Sequence, residues 1–271
     1  MTSRLRLVSL FSAFVFFASL ACAATDRLIV VTTTSVLGAA VQAIGSDRVV
    51  VETILPPGSC PGHFDLEPAQ VRRLLSATLF LRHDFQRFFD ERLLANGIAR
   101  DRIVALPAQG GLCVPETFAS LGRAAAEELA ARLPSEAKAF RSRANELTSE
   151  AQTRGQMLRE RVARLRGRPI AAAQHQADFL RWLGLDVRVV LPSNDDLSPT
   201  VVSLALAEIR NAHVVALVGN VPSGRRLPVA LADVAGLPFV MFENFPASCA
   251  PADYWTMLDQ NLDTLLKALP E

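Results

Sequence analysis

Apolar residues recur along this chain in two alternating patterns. Short runs of aliphatic and β-branched residues at 28–31, 49–54, 79–81 and 103–106 read as strands buried on both faces. Between them, apolar positions repeat with helical spacing over 36–44, 68–76, 85–95 and 115–133. Thr32-Thr33-Thr34-Ser35 supplies a cap for the first helix and Gly45 closes it. Phe85, Phe88, Phe89 and Leu93 are expected on one face of the third helix. The second half repeats the alternation. Strands are predicted at 170–173, 187–191, 214–218 and 239–242, with helices reaching 183 and spanning 199–211, 227–235 and 253–269. Gly219 to Gly224 reads as a turn without the spacing of a phosphate loop.

Strand–helix alternation of this kind predicts an α/β fold with parallel sheets covered on both faces. Pro134-Ser135 opens a longer helical stretch at 136–166, rich in Ala, Arg, Glu, Gln and Leu. At about 1.5 Å per residue it would be roughly 45 Å long, the length of a whole lobe. The expectation is two similar parallel-sheet lobes, 27–133 and 168–271, joined by a rigid spine helix at 134–167, with a ligand cleft between them. No sequence repeat relates the halves.

Residues 1–23 carry Arg4 and Arg6, an apolar stretch from 7 to 20 and the small-x-small end Ala21-Cys22-Ala23, the layout of an export signal. Cleavage after Ala23 is expected, with lipid attachment at Cys22 the alternative. The whole chain carries 28 Lys and Arg against 27 Asp and Glu, and loss of two arginines with the leader turns a net charge of +1 into about −1. That balance provides no electrostatic footprint for nucleic acid. The exported chain keeps Cys60, Cys113 and Cys249, an odd number, so at least one thiol is free, metal-bound or paired outside the chain.

In parallel α/β lobes, ligands meet the carboxyl ends of the strands. Candidate metal donors fall there: His63 after the second strand, His83 after the third, Cys113 after the fourth, His175 after the fifth and Glu243 after the eighth. His213 precedes a strand and faces the other end. Cys60 stands three residues before His63, a spacing that could chelate one ion. It could equally bond to Cys113. Imidazole, thiolate and carboxylate together suit Zn²⁺, and a set without thiolate also suits Mn²⁺. No Gly-x-Ser-x-Gly, His-Glu-x-x-His or Walker-type loop points to an enzyme. A thiol-dependent hydrolase using Cys113 and His175 is the catalytic alternative.

The chain resembles the solute-binding proteins of zinc and manganese ABC importers, the cluster nine metal receptors. The similarity rests on Val30-Val31-Thr32-Thr33-Thr34-Ser35 with Ile44-Gly45-Ser46-Asp47-Arg48-Val49. Its most specific piece is Leu55-Pro56-Pro57-Gly58, then His63, then Glu67-Pro68. His175 with Asp178-Phe179-Leu180 and Leu183-Gly184-Leu185, the stretch from Asp195 to Pro199, and Glu243 ahead of Asp253-Tyr254 and Asn261-Leu262 complete it.

This resemblance implies a monomeric periplasmic receptor with no enzymatic activity, one metal in the cleft, little movement on binding, and delivery to a membrane permease. It implies His63, His175 and Glu243 as ligands. The family's second histidine has no counterpart: its region here is Gly110-Gly111-Leu112-Cys113-Val114-Pro115-Glu116. Cys113, His83 or water would fill that place, or binding is weakened. The alternative is a divergent member that keeps the scaffold as an adhesion or partner-binding module, or takes a non-metal solute.

Overall fold

A computed structural model of the chain describes residues 27–56, 58, 59, 67–191 and 198–270. Among these residues the first half forms β1 (Leu28–Thr32), α1 (Ser35–Gly45), β2 (Val49–Thr53), α2 (Pro68–Ser76), β3 (Leu79–His83), α3 (Phe88–Ala95), β4 (Ile103–Leu106) and α4 (Pro115–Arg132). Helix α5 (Ala137–Arg161) follows. The second half forms β5 (Pro169–Ala173), α6 (Gln174–Trp182), β6 (Asp186–Leu191), α7 (Pro199–Asn211), β7 (Leu217–Asn220), α8 (Arg226–Ala235), β8 (Phe239–Phe242) and α9 (Pro251–Ala268).

Each half builds one four-stranded sheet, in the orders β2-β1-β3-β4 and β6-β5-β7-β8, and every strand pair is parallel. The two orders are the same topology written twice. Val31 pairs with Glu52 and Phe80 in the first sheet, and Val218 pairs with Ala172 and Val240 in the second. The inner strands β1, β3, β5 and β7 are almost wholly buried, which is why their sequences run apolar without alternation.

The lobes share one core. A continuous cluster of buried side chains runs from Val30 and Leu81 in the first sheet, through Phe118 and Leu147, to Tyr254, Ile170 and Val240 in the second half. At its centre the rings of Phe118 (α4) and Tyr254 (α9) stack with centroids 3.9 Å apart and planes within 11°. The Tyr254 hydroxyl donates to the Leu112 carbonyl at 3.2 Å, and the Ser35 hydroxyl donates to the Pro246 carbonyl at 2.7 Å. Helix α5 lies along α4 and α1. Its buried face, Phe140, Ala144, Leu147, Ala151, Gly155 and Leu158, follows the helical repeat. Gly155 allows Trp182 to approach: a Cβ there would lie 3.1 Å from the indole ring.

Three local expectations need correction. The stretch predicted as one helix over 136–166 is divided, with α5 followed by a 3-10 turn at Ala163–Leu165. That turn lets both Val162 and Leu165 enter the core at 0 % exposure. Phe85 and Phe88 are 57 % and 45 % exposed, whereas Phe89 and Leu93 are fully buried. A 3-10 turn at Asp84–Gln86 interrupts the helical phase before α3 begins, so Phe85 does not share its ridge. Strand β7 starts at Leu217 rather than at position 214, because His213 turns the chain with φ 52° and pairing with β5 begins at Ala171↔Leu217. Gly219 and Asn220 therefore end this strand, and the turn proper is Val221–Ser223.

Truncating Phe118 removes a fully buried ring from the seam between the lobes. Phe118→Ala is expected to lower unfolding free energy by about 3–5 kcal/mol, measured by urea denaturation, with a single transition retained because the core is continuous.

Candidate metal centre

The strand order of each sheet reverses beside its first strand, between β1 and β3 and between β5 and β7. In such sheets the crevice at the carboxyl ends of these strands receives the ligand. Four of the expected residues can be located there. His83 ends β3, Cys113 lies in the loop after β4, His175 is the second residue of α6, and Glu243 follows β8 directly. Cys60, His63 and Asp195 lie outside the described residues.

The loop that leaves β2 crosses toward the second lobe. Gly58 has φ +83°, a conformation that favours glycine, and a Cβ there would come within 3.3 Å of Val221. Gly58, Val221, Glu243, Phe245, Asp253 and Gln260 line one cavity of about 360 Å³. The start of the loop that carries His63 and the residue Glu243 thus face a common space, although they come from different lobes.

Glu243 is held through its backbone. Asn261 on α9 accepts from the Glu243 N–H through Oδ1 at 2.9 Å and donates from Nδ2 to the Glu243 carbonyl at 2.9 Å. Gln176 on α6 donates to the same carbonyl at 3.4 Å and to Asn244 Oδ1. Gln176 directly follows His175, so this buried amide network ties the start of α6 to the end of β8. His175 and Glu243 themselves are exposed. Partial desolvation pushes the Glu243 carboxyl above its ordinary range and the His175 imidazole below its own. Desolvation thus favours the neutral form of His175, the form that can donate a lone pair to an ion.

Cys113 and His83 have other partners. Cys113 is 1 % exposed and free, and its thiol donates to the Glu243 carbonyl at 3.7 Å. Gln176 Nε2 lies 3.9 Å from its sulfur. Burial pushes the thiol up to about 12, so it stays protonated. His83 is fully buried, stacks on Phe85 at 5.2 Å, and sets Nε2 2.9 Å from the Thr34 hydroxyl. Neighbouring Arg82 pairs instead with Asp90. Burial lowers His83 to about 4 against the opposing influence of Asp84. Cys249 is also a free thiol. Among the described residues, no three His, Cys, Asp or Glu side chains come close enough to hold an ion.

Sequence reasoning passed over the amides. Gln176, Asn244 and Asn261 carry no imidazole, thiolate or carboxylate, and although Asn261 entered the resemblance, no role was expected of any of the three. Asn220, taken as part of a turn, is fully buried at the end of β7 with both amide atoms unpaired.

Two parallel-sheet lobes of the same topology, joined through one core, give the chain the two-lobed α/β architecture. A sequence model described as zinc-uptake complex component A, periplasmic (ZnuA), matches residues 30–268, and the chain belongs to that family of non-enzymatic, periplasmic metal receptors. No curated protein matches it. Among solved structures, ZnuA itself is similar with a TM-score of 0.74 at 16% identity, covering 88% of this chain and 99% of that one. A manganese-bound periplasmic metal-binding protein from Candidatus Liberibacter asiaticus has a TM-score of 0.74 at 15% identity, covering 89% and 99%. FpvC from P. aeruginosa, in complex with Ni²⁺, has a TM-score of 0.75 at 17% identity, covering 89% and 96%. At these identities the likeness is one of fold.

His83 generates a pH-dependence of stability. Unfolded, it takes up a proton near its ordinary 6.5; folded, only near 4. Between these values the unfolded chain binds more protons, so its contribution is complete above pH 6.5 and falls away as pH drops toward 4. The acid loss is expected to be about 3 kcal/mol, read from urea unfolding of metal-free protein at pH 7.5 and 4.5, and His83→Asn should remove most of it. The native Cys113 thiol should resist alkylation at pH 8 and react fully in urea. Rapid, selective modification of Cys113 in the folded protein, located by peptide mass mapping because Cys249 is also a free thiol, would restore the thiol-enzyme alternative.

Proposed function

We propose that this protein captures a divalent transition-metal ion, Zn²⁺ in preference to Mn²⁺, in the periplasm and hands it to the membrane permease of an ABC importer. The observation that carries the reading is the cavity shared by Gly58 and Glu243, because it brings the start of the His63 loop of one lobe against the acidic candidate of the other. His63 and His175 would supply imidazole nitrogens and Glu243 a carboxylate oxygen. Such a nitrogen and oxygen set accepts Zn²⁺ and Mn²⁺, and the Irving–Williams order favours zinc. Family membership supports a metal as cargo and the periplasm as the place.

In this reading residues 1–23 direct export and are removed. The lobes are 27–133 and 168–271, with 134–167 as the spine. Cys113 belongs to the support of Glu243: its thiol and the amides of Gln176 and Asn261 hold the Glu243 carbonyl. His83 belongs to the interior of the first lobe, where its Nε2 meets the Thr34 hydroxyl. Cys60, three positions before His63 in the sequence, is a further donor. The shared core favours a cleft that is formed before the ion arrives, so binding proceeds with small movement.

Titration of metal-stripped protein with Zn²⁺ is expected to saturate one site at micromolar concentration or below. Absence of such a site defeats the proposal. His63→Ala and Glu243→Gln should each weaken binding about tenfold or more, and a His63→Ala protein that binds like the parent rules out that ligand. Affinity should fall with acid, because protons compete for both imidazoles and for the carboxylate. The raised Glu243 pKa places its share of the loss at a higher pH than an ordinary glutamate would, and Glu243→Gln should remove that share.

A further inference from the structure

Helix α9 faces two cavities. Asp253, Thr256 and Gln260 line the space beside Glu243, whereas Trp255 and Asp259, on another face of the helix, line a cavity of about 680 Å³ against α5. We propose that this second cavity binds a small monocarboxylate with an apolar body. The inference does not depend on the metal reading, because the described walls of the cavity are residues of α5 and α9 alone.

The cavity follows from how the two helices meet. Arg154 on α5 sets its guanidinium 5.2 Å from the centre of the Trp255 ring. Arg161 donates to Asp259 at 2.8 Å and also to Asp263. Such long side chains bridge the helices where interlocked aliphatic ridges would have closed the gap. The floor reaches the core: Leu158 and Trp255 belong to the wall, yet are only 5 % and 4 % exposed. Met157 adds an apolar side chain that is 62 % exposed. The volume lies within the range of about 300–1,000 Å³ found for small-molecule sites.

The unused polar groups select the ligand. The Ser149 and Thr153 hydroxyls donate to carbonyls of their own helix, those of Asn145 and Ser149. The Asp259 carboxylate is taken by Arg161, and Glu150 accepts from Arg154 Nε at 2.9 Å. The terminal nitrogens of Arg154 have no partner among the described residues, and neither has the buried Nε1 of Trp255. What the wall leaves unmatched is therefore N–H, part of it cationic. A carboxylate matches the fork of a guanidinium with two parallel hydrogen bonds. An amine would set donor against donor. An apolar body then covers Met157, Leu158 and the indole and removes their surface from water.

The test titrates the full exported chain, stripped of metal, with decanoate and with 1-naphthoate by isothermal titration calorimetry. Decanol and decylammonium are the neutral and cationic controls. One carboxylate per chain should bind with a submillimolar Kd, and the controls at least about tenfold more weakly. Arg154→Met, which keeps apolar cover over Trp255, should weaken the bound carboxylate about tenfold and erase its advantage over the neutral control. Met157→Glu, at an exposed position, should weaken it by a similar factor, while Gln152→Glu, exposed on α5 outside the cavity lining, should bind like the parent. Binding of decanoate alone assigns an alkyl body and of 1-naphthoate alone an aromatic one, and either upholds the site. Failure of both carboxylates to bind, decanol bound as tightly as decanoate, or parent-like binding by both Arg154→Met and Met157→Glu overturns the inference. Each of these results leaves the zinc titration, and the receptor reading with it, untouched.

Discussion

The stacking of Phe118 on Tyr254 decides the geometry of everything else. Two lobes with separate sheets could be joined loosely, and their facing loops would then keep no fixed separation. Here one buried cluster passes through both. Opening the lobes would bring these rings and their neighbours into water, at a cost of order 25 cal/mol per Å² of apolar surface. The loop after β2 and the end of β8 are therefore held in register, and Gly58 meets Val221 across the boundary. A cleft prepared in this way spends little of the binding energy on ordering.

Around the cleft the protein supports its charged groups with neutral ones. Asn261 and Gln176 hold the backbone of Glu243 and leave its carboxylate to the cavity. An arginine in their place would hold the carboxylate itself and compete with a cation. The buried Cys113 thiol adds a further neutral contact from the opposite lobe. Because this network is made of amides and a protonated thiol, it does not titrate near neutral pH.

Similar receptors share this architecture at 15%, 16% and 17% identity, so the fold depends on pattern more than on particular residues. Buried strands need aliphatic runs, and helices need a stripe of the right period. Both survive extensive substitution. Donor chemistry does not have that tolerance.

The alternation of strands and helices, the cap at Thr34, the position of α5 in the chain and the placing of His175 and Glu243 at strand ends were all legible in the sequence, because each follows from local periodicity or local capping. The fate of particular side chains was not. Phe85 and Phe88 carry the same signal as Phe89, yet Phe85 precedes α3 and only the face of α3 that carries Phe89 and Leu93 meets the core. Cys113 and His83 look like ligands by type and position, and only the packing around them gives each another partner. No role was expected of Gln176 or Asn261, since an amide's role depends on which backbone group lies within hydrogen-bonding reach of it. Secondary structure reads short-range order along the chain. The coordination and support of a charge are long-range relations, and tertiary packing alone brings residues 58, 113, 176, 243 and 261 to one place.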